Sequence, residues 1–348
     1  MAGKIKLLER KLAGCPLAGN AGIGHTRWAT HGPPCEQNAH PHRSGPVVVV
    51  HNGILENHAE LRRDLERRGL SFSSETDSEV FAHLVRRELD GRPLEEAVAR
   101  ALRKARGSYA LVVASESQPG VLVGARRASP LVAGLGRGEN FLASDVSALL
   151  SHTRRVVFLE DGELAVVTPE SVRLRTLGGS PVRRQPRDID WSPAMAEKGG
   201  HRHFMHKEIF EQPRALADTL SGRIRAHSSR VLLDDIELGE RAVKKLRRLV
   251  ILACGTSWHA GLVGKFLVER LARLPVEVDV ASEFRYRPPL VGRGDLLVAV
   301  SQSGETADTL AGVMEARRLG ARVLGICNVI ESSIARASHH VLYTRAGP

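Results

Sequence analysis

Apolar and polar positions follow two rhythms along the chain. Between residues 44 and 190, short apolar runs are mixed with helical spacing. Pro46–Val50 reads as a strand and Asn57–Arg68 as a charged surface helix closed by Gly69. Thr76–Leu89 carries Val80, Phe81, Leu84 and Val85 at helical intervals, and Leu94–Leu102 repeats them at 94, 97, 98, 101 and 102. Short strands without long helices follow at Tyr109–Ala114, Val121–Ala125, Phe141–Ala143, Val156–Leu159 and Leu164–Val167. Adjacent helices followed by a meander predict a layered α+β domain with mostly antiparallel sheets. Residues 171–200 lose periodicity and are rich in Arg, Gly and Pro, which predicts a linker. His203–Ile224 reads as a connecting helix interrupted near Pro213.

From residue 247 the rhythm becomes strict β/α alternation. Strands are expected at Leu249–Ala253, Val276–Val280, Leu296–Val300, Val323–Cys327 and Val341–Tyr343, with helices near 257–272 and 305–319. Five strands joined by short crossovers predict an α/β doubly wound parallel sheet, whose ligands sit at the carboxyl ends of the strands. Two strand–turn–helix units there are rich in hydroxyls: Cys254-Gly255-Thr256-Ser257, and Ser301-Gln302-Ser303-Gly304-Glu305-Thr306. A helix N-terminus has free amides and partial positive charge, and Ser301, Ser303 and Thr306 add hydroxyl donors. Such turns suit a phosphorylated small molecule. Neither fits GxGxxG or GxxxxGK[ST], which argues against a dinucleotide or P-loop nucleotide.

A second dense block combines His25-Thr26-Arg27-Trp28-Ala29-Thr30-His31-Gly32, then His51-Asn52-Gly53 after an apolar run, then Ser74-Glu75-Thr76-Asp77 at a helix start. Arg27 can clamp a carboxylate and Asp77 can hold an ammonium. The Asn52 amide and the Gly53 N–H can form an oxyanion hole for acyl transfer. Together these are the parts needed to bind an amino acid and hydrolyse its side-chain amide.

Composition narrows the classes. The 348 residues suit about two domains, and the net charge of +11 comes from 41 Arg and 9 Lys dispersed along the chain. Aromatics make up only 4%, too few for an evident base-stacking surface, so no nucleic-acid partner is expected. No apolar run reaches a membrane span and no apolar segment follows the basic N-terminus, so no membrane partner and a cytoplasmic location are expected. Cys15, Cys35, Cys254 and Cys327 form no CxxC pair. The histidines at 40, 42, 201, 203 and 206 lack the remaining ligands of a zinc site, so no metal is expected.

The motifs HTRWATHG, HPH, VVVHNGI-EN, SETDSEV-AHL, SPLV-GLG-GENF-ASD, MHKEI-EQP, ILACGTS, ASEFRYR and SQSGETADTLAG stand in one order across nearly every residue from about 3 to 348. In this the chain closely resembles the glutamine–fructose-6-phosphate aminotransferase family, the isomerising glucosamine-6-phosphate synthases. The resemblance implies an N-terminal-nucleophile glutaminase domain of αββα layers over 1–190, a linker and connecting helix over 191–246, and a first sugar isomerase (SIS) subdomain over 247–348. It implies glutamine-dependent amination and isomerisation of fructose 6-phosphate, no cofactor, and a homodimer through the isomerase domains. Arg27, Trp28, Thr30, His31 and Asp77 would bind glutamine, with Asn52 and Gly53 as oxyanion hole. Thr256, Ser257, Ser301, Gln302, Ser303 and Thr306 would bind the sugar phosphate.

The family's nucleophile is an N-terminal cysteine, and neither Cys15 nor Cys35 stands in that context. The second isomerase subdomain, which holds the family's isomerisation acid/base residues, has no counterpart here. The expectation is a fragment that is inactive by itself. The alternative is a non-catalytic sugar-phosphate-binding module.

Overall fold

The computed structural model describes residues 5–27, 32–189, 199–224 and 239–347, with 231, 233 and 236. The chain divides into two compact units, residues 1–190 and 191–348.

The first unit runs α1 (Ile5–Gly14), β1 (His42–Ser44), β2 (Val47–Leu55), α2 (His58–Arg67), α3 (Ser78–Leu89), α4 (Leu94–Leu102), β3 (Gly107–Ser115), β4 (Leu122–Arg127), β5 (Val132–Leu135) and β6 (Asn140–Ala143). After a 3-10 turn at Val146–Ala148 come β7 (Arg155–Phe158), β8 (Glu163–Val167), β9 (Val172–Thr176), β10 (Pro181–Val182) and β11 (Arg187–Asp188). Seven strands form one sheet in the order β1-β2-β3-β4-β8-β9-β10, and four form another, β11-β7-β5-β6. Every pairing in both is antiparallel.

Alternation along β2 and β3 explains the layering, because successive side chains leave opposite faces of a sheet. Val47, Val49, Leu111 and Val113 pack with Val80, Phe81, Leu84 and Leu94 of the helices. Val50, Ala110 and Val112 pack instead with Ala133 and Val157 of the second sheet and with Leu131 just before it. Buried on both faces, β3 reads as the near-continuous apolar run seen in the sequence. This is the layered α+β domain expected.

The linker reading of residues 171–200 is corrected over its first half. β9 extends the large sheet beside β8, and β11 adds to the small sheet beside β7. Arginines at 173 and 175 alternate with Val172 and Leu174, so the strand faces the interior with half its residues and masks its apolar content. Residues 190–198 lie outside the described residues.

The second unit runs α5 (Phe204–Leu220), α6 (Glu240–Val243), β12 (Arg248–Ala253), α7 (Gly255–Ala272), β13 (Val276–Val280), α8 (Ala281–Tyr286), β14 (Asp295–Ser301), α9 (Ala307–Arg318), β15 (Arg322–Cys327), α10 (Ser333–Ala337) and β16 (His340–Tyr343). Contrary to expectation, α5 continues through Pro213 without interruption. The five strands are all parallel in the order β13-β12-β14-β15-β16. One face packs Val250, Leu252, Leu297 and Val323 with Phe284, Val313 and Ile334 of α8, α9 and α10. The other packs Ile251, Leu296 and Val298 with Val268 of α7. With helices on both faces, this is the doubly wound sheet expected. No described helix is long and apolar enough to cross a membrane.

Candidate functional sites

In the first unit, a cavity of about 780 Å³ is lined by Arg27, Asn52, Gly53 and Asp77 together. His25, His40, His51, Ser78, Ser108 and Asp145 also reach it. Residues that were 50 positions apart in the sequence therefore share one wall. Trp28, Thr30 and His31 lie outside the described residues.

Local chemistry places each member. Arg27 donates to the backbone carbonyls of Gly32 (3.0 Å) and Pro33 (3.2 Å). Asn38 stitches that loop down: its amide donates to Pro33 O at 3.1 Å and its Oδ1 accepts the Glu75 N–H at 3.0 Å. Asp77 is buried, and its carboxylate accepts the Leu55 N–H at 2.8 Å, tying the start of α3 to the end of β2. Asn52 is exposed toward the cavity side of β2, while Gly53, at φ +147°, crosses β3 so closely that the Ser108 carbonyl carbon lies 2.8 Å from where a Cβ would stand.

Glu79, which the sequence did not single out, shapes the turn that presents Asp77. Its carboxylate accepts the Ser73 N–H and Oγ–H at 2.8 Å and the Ser74 N–H and Oγ–H at 2.6 Å. Burial pushes this carboxyl upward, but hydrogen bonds from His83, Ser73 and Ser74 overcome that and hold it well below the ordinary carboxylate range. The signal was present in the sequence, as an acid in a helix's first turn after two serines.

The cavity wall is also rich in imidazole. Burial lowers the pKa of His25, His40 and His42, and lowers His51 to about 4 against the partial opposition of Asp77. A histidine kept neutral by burial is protonated more readily in the unfolded chain, so protons favour unfolding. Stability from this cluster is complete above pH 6.5 and is lost as pH falls from 6.5 toward 4. Glu79 adds a loss of the same sign below its ordinary value of 4.5. Calorimetric melting of the chain between pH 8 and 4 is expected to show the first unit's transition falling steadily below pH 6.5; a flat profile there refutes it.

In the second unit the two hydroxyl turns sit where the sheet's winding reverses. β12 is followed outward by β13 on one side and by β14 on the other, so the carboxyl ends of β12 and β14 flank a topological switch point. Cys254, the first residue of the first turn, is the N-cap of α7, with Thr256 exposed and Ser257 half-buried in the opening residues of that helix. The second turn folds on itself ahead of α9. Ser301 Oγ accepts the Gly304 N–H at 3.0 Å and lies 3.1 Å from Thr306 Oγ1, and Ser303 Oγ accepts the Glu305 N–H at 3.2 Å. Gln302 is exposed, and its carbonyl accepts the Asn328 N–H at 3.1 Å.

Residues after β15 brace this turn, a role the sequence hid because they follow it by more than 20 positions. Glu305 Oε1 accepts the Ser333 N–H at 2.8 Å, and Gly304 O accepts the Ile334 N–H at 2.9 Å. Buried Cys327 beneath the turn has its thiol pushed up to about 11 by desolvation, which removes it as a nucleophile at neutral pH. Among the described residues no group of three or more His, Cys, Asp or Glu has a metal-holding arrangement.

Comparison with known proteins adds the following. Residues 25–151 match the glutamine amidotransferase domain family, and residues 243–348 match the SIS domain family. The chain is 55% identical over 348 residues to the glutamine–fructose-6-phosphate aminotransferase (isomerizing) of Symbiobacterium thermophilum and 48% identical to that of Clostridium acetobutylicum. Each alignment covers 99% of this chain and 57% of the relative, so the chain spans little more than half the length of these curated relatives. Among solved structures it is similar to the C-terminal domain of glucosamine-fructose-6-phosphate aminotransferase from Francisella tularensis, at 38% identity and a TM-score of 0.41, over 44% of this chain and 43% of that one.

Proposed function

Because the chain belongs to the glutamine–fructose-6-phosphate aminotransferase family, we propose that its first unit binds glutamine for side-chain amide hydrolysis and its second binds fructose 6-phosphate. The reaction served is the formation of glucosamine 6-phosphate with release of glutamate. Residues 1–190 are then the glutaminase domain, 191–246 a connector, and 247–348 the first isomerase subdomain.

The observation that carries this reading is the convergence of Arg27, Asp77, Asn52 and Gly53 on one cavity. Asp77 would neutralise the α-ammonium of glutamine and Arg27 would meet its α-carboxylate. Asn52 Nδ2 and the Gly53 N–H would receive the charge that develops on the amide oxygen. The sugar phosphate would take the switch-point turns, with Thr256, Ser257, Ser301, Ser303 and Thr306 donating to phosphate oxygens and Gln302 at the rim. Trp28, Thr30 and His31 complete the glutamine site in this reading. A cytoplasmic homodimer goes with it; apolar Val263, Phe266, Leu267 and Leu271, all exposed on α7, are residues that such an interface would cover.

Calorimetric titration of the chain with L-glutamine and with fructose 6-phosphate tests both halves, using D-glutamine and fructose as controls. Asp77→Asn separates charge from architecture. The amide oxygen still accepts the Leu55 N–H, so melting is expected to change little, while glutamine affinity drops by about thirtyfold for the loss of a charge-assisted contact. Equal glutamine binding by wild type and Asp77→Asn removes Asp77 from the site.

A further inference from the structure

β1 pairs with β2 only from Ser44↔Val47 to His42↔Val49. Two residues further along this antiparallel register, residue 40 would face residue 51, but the ladder has ended. The His51 N–H nonetheless has an acceptor: it donates to the Nδ1 atom of the His40 ring at 3.3 Å. A side-chain nitrogen thus stands in for the strand carbonyl that is missing there. On its other edge, β2 continues to pair with β3 through His51↔Leu111, Asn52↔Ala110 and Gly53↔Tyr109.

The His40 ring is itself fixed. His25 stacks on it with centroids 4.4 Å apart and planes 25° apart, and His42 meets it edge-on at 4.7 Å. His42 is held in turn by Thr76, whose Oγ1 lies 3.0 Å from its Nε2 and which immediately precedes Asp77. His51 is pinned by Ser78 Oγ, 2.9 Å from its Nδ1. An imidazole nitrogen that accepts an amide hydrogen carries no proton of its own, so His40 is the neutral Nε2–H tautomer.

We propose that His40 is a positioning residue for the oxyanion donors: its Nδ1 anchors the His51 amide and so sets the direction of the Asn52 side chain and the Gly53 N–H. The proposal rests on the reading of this cavity as a glutamine site. Without the anchor, the edge of β2 beyond Val49 is free to shift, and the two donors immediately after His51 shift with it. Displacements of this size are costly where donors must meet one oxygen atom.

The test uses the full chain and two substitutions. His40→Leu fills similar space without an acceptor, while His40→Asn places its Oδ1 near the position of the imidazole Nδ1. His40→Leu is expected to weaken L-glutamine binding about tenfold and to speed hydrogen exchange at the His51 amide, whereas His40→Asn restores both to within about threefold of wild type. Long-range nitrogen–proton correlation spectra of the unsubstituted chain are expected to identify His40 as the Nε2–H tautomer, a readout that does not depend on either variant folding. The proposal is overturned if His40→Leu binds glutamine like wild type, if the asparagine variant folds yet rescues neither property, or if His40 proves protonated on Nδ1. Absence of any glutamine binding by the unsubstituted chain instead defeats the reading of the cavity itself.

Discussion

A methyl group at position 53 is expected to abolish glutamine binding and leave fructose 6-phosphate binding intact. Gly53 holds φ +147°, a region that L side chains rarely adopt, in the middle of a paired strand. An alanine Cβ there would overlap the Ser108 carbonyl and stand 2.9 Å from the Tyr109 Cα. All of these atoms are backbone in the neighbouring strand, so no side chain can swing away to make room. The β2–β3 ladder must separate locally or residue 53 must rotate its peptide, and either change moves the N–H proposed to face the substrate oxygen. Strain and overlap together are expected to cost the first unit about 3 kcal/mol or more. Two titrations on Gly53→Ala decide the matter; retained glutamine affinity would show that the Gly53 N–H is no part of the site.

The mirror-image result is expected from Gly304→Ala. This residue has φ +64°, and its Cβ would overlap Oγ and Cβ of Ser332, with Cys327 Sγ 3.5 Å away. Ser332 is buried in the segment that braces the turn from behind, between Glu331 and the Ser333 amide held by Glu305. Relief requires the turn to lift off that brace, which breaks the Ile334 N–H to Gly304 O bond and disperses the hydroxyls of Ser301, Ser303 and Thr306. Fructose 6-phosphate affinity is expected to fall by about a hundredfold or more while glutamine affinity stays. Because each variant serves as the other's control, loss of both ligands in either one would contradict two independent sites.

Asp77, Asn52, Gly53 and the Ser301–Thr306 turn were legible in the sequence because their chemistry is local: residue type, a strand before, a helix after. Asn38 and His40 were not, since each acts through a partner that only folding brings near. Asn38 meets Glu75 across 37 positions and His40 meets His51 around the end of a strand. The parallel sheet could be read almost strand by strand, because its strands are buried on both faces and punctuated by helices. β9 escaped notice for the opposite reason. With Arg173 and Arg175 on one side it is a half-polar strand only five residues long. Pro213 misled because a proline removes one amide from a helix without forbidding the turns on either side of it, and α5 extends across it.

Within the switch-point turn the amides of Gly304 and Glu305 are already bonded to the hydroxyls of Ser301 and Ser303. A ligand that uses these two amides must outbid the neutral oxygens they already hold. An uncharged sugar offers only another hydroxyl and breaks even, whereas a phosphate dianion replaces each neutral bond with a charge-assisted one. As the proposed sugar-phosphate site, the turn is therefore expected to select by ionisation state before shape is consulted, and inorganic phosphate or sulfate should compete at this spot far better than any unphosphorylated hexose.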